Sequence, residues 1–188
     1  MPDGLSPIIA ASAHWLVRAY PATGGFDQAL AERQARQAVT IAAWLRYPTV
    51  LDADLVNLVG PGGSARLDWI AGADLRHAHV HDRGRPGEGS TSGGEVDAPP
   101  EEAWRTWVDE VVTSWAACLL SDMALAIAAV VATARGEHAR EMPYDFRRLV
   151  APDEHDRRAA ALLRHPDLLA PVAELHRDDL LRQLRIGA

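Results

Sequence analysis

The chain has 188 residues, 48% hydrophobic and 24% charged, with a formal charge of −7, the composition of a single globular domain. All 19 basic residues are arginine, which excludes the phosphate-binding lysine of a P-loop, the strand lysine of a kinase and a lysine Schiff base. One cysteine, Cys118, excludes an intrachain disulfide and every paired-cysteine zinc or redox motif.

The pattern is helical almost throughout. Ser6-Pro7 is a helix start, and Ile8, Ile9, Ala13, Leu16 and Val17 form a stripe that ends near Pro21. A second helix is predicted over Asp27–Arg46, stopped by Pro48, then a short one over Asp52–Val59 closed by Gly60-Pro61-Gly62-Gly63. Ser64 caps a further helix reaching His81, with a weak point at Gly72. Arg83–Asp97, rich in glycine, proline and serine, reads as a flexible linker between a helical unit at 1–82 and a second at 98–188, the two packed as one bundle. The second unit opens on a long helix from Glu101 to Ala134, expected to be the central element, and ends in shorter helices over Pro152–Arg164, Pro166–Ala170 and Pro171–Ile186. The fold expected is all-α, a bundle of six or seven helices. The tryptophans Trp104, Trp107 and Trp115 share helical spacing with valines and read as core.

Charge and hydropathy bound the partners. Residues 1–134 carry nine arginines against sixteen acids, and residues 135–188 ten against ten. No basic field exists for phosphate neutralisation, so direct nucleic-acid binding is not expected. Trp115–Ala134 has the length of a bilayer span, but Asp122 at its centre and its alanine content argue for a buried helix of a water-soluble bundle. The start, Met1–Ser6, has no secretory pattern, and a lone cysteine suits a reducing cytoplasm, the expected location.

Few residues suggest chemistry. His77, His79 and His81 are the candidate metal ligands, since His77 and His81 align at i, i+4 on a helix; a solvated, histidine-rich helix end is the alternative. Asp122 reads either as a functional carboxylate or as a group paired with an arginine or a tryptophan N–H. Cys118 has no histidine close in sequence to activate it and reads as an inert buried thiol. No cofactor is implied.

Two stretches read alike. Arg36–Val59 and Arg157–Leu180 each place an alanine-rich helix before a Leu-Arg-Tyr/His-Pro step and a following leucine-rich helix, the grammar of a helical hairpin in which the later leucines fold back on the first helix. The stretch Arg157–Leu180 resembles the N-terminal domain of DnaB-type replicative helicases, and Leu45-Arg46-Tyr47-Pro48 is similar to a step in the helicase-binding C-terminal domain of primase. That resemblance implies a non-enzymatic protein–protein interaction module of replication machinery, binding a helicase or self-associating as a homo-oligomer. Arg157, Arg158, Leu163, Leu168 and Leu169 are the candidate interaction residues. The Leu-x-Tyr-Pro step also resembles the all-helical chaperones of molybdoenzyme maturation, which implies a client protein instead. A metal-dependent helical enzyme built on the histidine cluster is the third reading.

Overall fold

The computed structural model describes residues 4–72, 103–141 and 145–186. Among them are eleven α-helices, one short 3₁₀ helix and no strand, so the described chain is all-α. Helix α1 (Ser6–Ala19) starts on Pro7 in its first turn, where the missing N–H costs nothing. Helix α2 (Gly25–Arg46) is the longest element. After it come α3 (Val50–Val59) and α4 (Ala65–Ala71), a 3₁₀ helix at Ala103–Trp107, then α5 (Glu110–Ser121) and α6 (Met123–Thr133). Short helices α7 (Glu137–Glu141), α8 (Arg147–Val150) and α9 (Glu154–Ala159) lead to α10 (Pro166–Ala173) and α11 (Arg177–Ile186).

The central element is α2, not the expected Glu101–Ala134 helix. Helices α1, α5, α6, α8 and α9 all pack on α2. Every residue from Gln37 to Leu45 is buried, and Ala38, Ala42 and Ala43 let neighbouring helices approach closely. Helix α5 is the second core element, with every residue from Val112 to Leu120 buried, and it bridges α2 to α10.

Two aspartates cut the expected long helix into three pieces. Asp109 has extended backbone and its carboxylate accepts from the N–H groups of Val111 and Val112, opening α5. Asp122 (φ −128, ψ 104) closes α5 and opens α6 in one residue. Its N–H donates to the Cys118 carbonyl, and its Oδ1 accepts from Ala124 and Leu125 at 2.9 and 3.2 Å. An N-cap carboxylate stabilises by roughly 1 kcal/mol, enough to favour a break where the apolar period alone would run on. Arg177 stands 3.8 Å away and completes the structural pairing. Such caps explain why the elements outnumber the six or seven expected.

Two further boundaries moved. The expected Pro152–Arg164 helix is only α9, because the chain turns at Ala160 so that Arg164 can fold inward. The helix begun at Pro166 runs past Pro171, and α11 starts only at Arg177. Ser64 does not cap α4 through the backbone; its hydroxyl donates to the Asp68 carboxylate at 3.0 Å. Gly72 ends α4 in the left-handed region (φ 65), where a side chain would be strained. The expected linker at 83–97 lies outside the described residues.

A polar cluster ties the C-terminal segments to α2. The Arg164 guanidinium donates to Gln34 Oε1, to the Arg148 carbonyl at 2.7 Å and to the Leu149 carbonyl at 3.4 Å. Gln34 in turn donates to the Asp156 carbonyl at 2.8 Å, and the fully buried Asp156 carboxylate pairs with Arg148. Burial pushes Arg164 down to about 10, still charged at neutral pH. Replacing it strands several acceptors in the core, each costing on the order of 1–3 kcal/mol. Arg164→Leu is therefore expected to lower the unfolding free energy by about 3 kcal/mol, read by urea denaturation, and Arg164→Lys to recover only part of it because an ammonium lacks the planar fork.

Candidate protein-interaction site

Helix α3 is built to start and stop sharply. Pro48 follows the end of α2, and Thr49 forms a reciprocal capping box with Asp52: Thr49 Oγ1 accepts from the Asp52 N–H at 3.2 Å, and Asp52 Oδ2 accepts from the Thr49 N–H at 3.1 Å. Gly60 (φ 79) ends it. The helix sits on the body through Ala53, its one fully buried residue, with Val56 partly buried beside it. Gly4 makes the seat possible, because a Cβ there would stand 2.8 Å from the Ala53 Cβ.

The opposite face is apolar. Leu51, Leu55, Leu58 and Val59 are 70%, 57%, 86% and 75% exposed, and their i, i+4, i+7, i+8 spacing makes one stripe. An amphipathic helix normally turns such a stripe to the core; α3 turns it outward. The expected fold-back of these leucines onto α2 does not occur. The face of α2 they would cover is already filled by α1, α5 and α6, and α3 docks by its small residue instead. Burying each large aliphatic side chain is worth about 1.5–3 kcal/mol, so the stripe holds a sizeable unused driving force.

A second apolar face lies on α6. Its buried side is Ala126, Ala129 and Thr133, while Met123, Ile127 and Val131 are 41%, 48% and 68% exposed. The greasy run centred on Met123 is thus buried all round only in its α5 half.

The candidate interaction residues divide. Arg157, Arg158 and Leu168 lie at the surface, whereas Leu163 and Leu169 are fully buried in the core with Leu180. The two similar stretches also differ in form, since α2 has 22 residues and α9 has six. His77, His79 and His81 lie outside the described residues; among those described, no cluster of His, Cys, Asp or Glu could hold a metal ion. None of the described helices is long and apolar enough to cross a membrane.

The Leu-x-Tyr-Pro step acts as a joint. Tyr47 ends α2, its hydroxyl donates to the Asp109 carboxylate that caps α5, and its carbonyl meets His138 Nε2 at 2.7 Å. Burial, then the Asp109 hydrogen bond, raises the Tyr47 phenol well above its ordinary range. Trp115 is core and donates to the His176 carbonyl at 3.0 Å. Trp104 and Trp107 pack partly buried against the core and also line an open cleft of about 400 Å³ with Pro7, His14 and Arg36. The Arg18 and Arg105 guanidiniums lie 5.8 and 5.7 Å from the Trp104 ring centre, and burial, then Arg18, lowers the His14 pKa.

Sequence reasoning found the α3 leucines but read them as core, and it assigned the Tyr47 step no structural partner. Cys118 is buried with its Sγ donating to the Ala173 carbonyl at 3.4 Å, and burial pushes its thiol up to about 11. Thiol-specific labelling at pH 8 is therefore expected to follow global unfolding, becoming rapid only in denaturant. Because the folded-state value is raised, the stability held by the neutral thiol is complete below about pH 9 and is lost as pH climbs through about 11. No family model, no curated protein and no solved structure matches the chain.

Proposed function

We propose that this chain is a protein–protein interaction module and that the outward stripe of α3 receives an amphipathic helix of its partner. One observation carries the reading: Leu51, Leu55, Leu58 and Val59 are exposed along one side of a helix that seats itself through Ala53. A contiguous apolar surface of this kind marks a contact site more often than an accident of folding. Helix-in-groove recognition uses this spacing of anchors.

The charges carried by α3 itself favour a basic partner. From Tyr47 to Ala65 the chain has Asp52 and Asp54 and no basic residue. A helix with leucines along one face and arginines or lysines beside them complements that rim. A replicative helicase or primase is the first partner to test, on the resemblance at Arg157–Leu180 and Leu45–Pro48. A maturation chaperone is the second reading; the cleft at His14, Trp104 and Trp107 is the feature that favours it.

The test is capture from the native host by the wild-type chain and by Leu55→Asp and Leu58→Asp. Both side chains are exposed, so thermal stability is expected to stay within about 0.5 kcal/mol of wild type. Partner capture is expected to fall by more than about 30-fold. A helicase or primase retained equally by all three chains would remove α3 from the interface. A molybdoenzyme subunit retained by all three, and released by Trp104→Ala, would decide for the chaperone.

A further inference from the structure

We propose that α6 is the interface of a homodimer, two copies crossing antiparallel about a two-fold axis near Ile127 and Ala128. The proposal uses a different helix from the α3 site and stands or falls separately. Every side chain from Met123 to Val131 is alanine, leucine, isoleucine, valine or methionine, and no ionisable group occurs between Asp122 and Arg135. On the outward side Met123, Ile127 and Val131 form a ridge of large side chains at four-residue spacing. Ala124 and Ala128, also exposed, form a shallow groove beside it. A ridge at i, i+4 beside a groove of the same pitch packs against a copy of itself, which is the self-complementarity an isologous contact needs.

Charge favours a second copy over a foreign partner. A chain of charge −7 repels itself at long range, so copies meet at lowest cost where charge is absent, and α6 supplies such a face. The same lack of charge leaves nothing to code for a particular foreign surface. Antiparallel crossing opposes the two helix dipoles and sets the N-terminal end at Asp122 beside the copy's C-terminal end at Arg135, a complementary pairing. The face offers on the order of 400 Å² of apolar surface per copy. Two faces thus bury about 800 Å², below the roughly 1,200 Å² of stable complexes, so the dimer is weak and forms only at high protein concentration. Lipid is a poor occupant: eleven residues rise only about 16 Å against a core of about 30 Å.

Sedimentation velocity over about 1–500 µM is expected to show a monomer–dimer equilibrium for the wild type. Ile127→Asp should weaken it by more than about 30-fold, while Leu55→Asp on α3 should leave it unchanged. Circular dichroism confirms that each variant is folded, and Ile127→Ser replaces Ile127→Asp should the charge prevent folding. A mixture of Met123→Cys and Val131→Cys chains should form the mixed disulfide on mild oxidation in preference to either symmetric one, since Cys118 is buried. A wild-type chain that stays monomeric throughout would overturn the proposal. So would a dimer that persists in folded Ile127→Asp or Ile127→Ser, or symmetric cross-links that dominate the mixture.

Discussion

The burial of α2 sets the rest of the molecule. A helix whose residues from Gln37 to Leu45 all lie out of solvent has no free side to offer, so each later segment competes for a fixed area. Helices α1 and α5 take most of it, and the short α8 and α9 take the remainder near Gln34 and Gln37. The two glutamines turn that packing into a position-specific fit: Gln34 donates to the Asp156 carbonyl and Gln37 to the Asp145 carbonyl, at 2.8 and 2.6 Å. A buried amide left without its acceptor costs more than the hydrogen bond contributes, so these two bonds fix register where alanine contacts would tolerate a slide. The apolar sides of α3 and α6 are what remains when that area has been used.

Aspartate is the residue that shapes the chain around this core. Asp109 and Asp122 each accept two backbone N–H groups at a helix start; Asp68, nearly inaccessible, accepts from Trp15 Nε1 at 2.7 Å and from Ser64. Asp156 joins a capping box with Asp153 to a buried pair with Arg148. A carboxylate can serve two such roles because it has more acceptor sites than any one partner uses. The Tyr47–Asp109 bond shows the consequence: the end of α2 and the beginning of α5, 62 residues apart in sequence, are held by one side chain that caps and accepts together.

Much of the helical grammar was legible in the sequence, because it depends on near neighbours. The Ser6-Pro7 start, the stop at Pro48 and the glycine closure of α3 are local facts of backbone conformation. What could not be read depends on partners distant in the chain. Asp122 looks like an intruder in an apolar helix until Arg177 and the following N–H groups are in place. Nothing in the sequence near Arg164 marks its guanidinium for Gln34 and two backbone carbonyls, where the fold places it. The stripe on α3 was visible as a stripe, but periodicity gives the angle of a face and not its direction. The occupancy of α2 decided that direction, and no window of α3 contains that information.

The two outward faces differ in a way that bears on their use. The α3 stripe is bordered by Asp52 and Asp54 and projects on a helix with one seat, Ala53; a surface of that kind selects by charge as well as by shape. The α6 face has no ionisable group along it and is anchored to α2, α5, α8 and α11, so it is rigid and unspecific in charge. An apolar helix face can pack ridge into groove on a surface of matching pitch, and a charged one is steered to a surface of opposite sign. Were both occupied at once, a two-fold pair joined through α6 would carry two α3 stripes, and a partner presenting two basic helices would engage both. Its second contact would then form at an effective concentration set by the spacing of the stripes, and this raises avidity without any further apolar area.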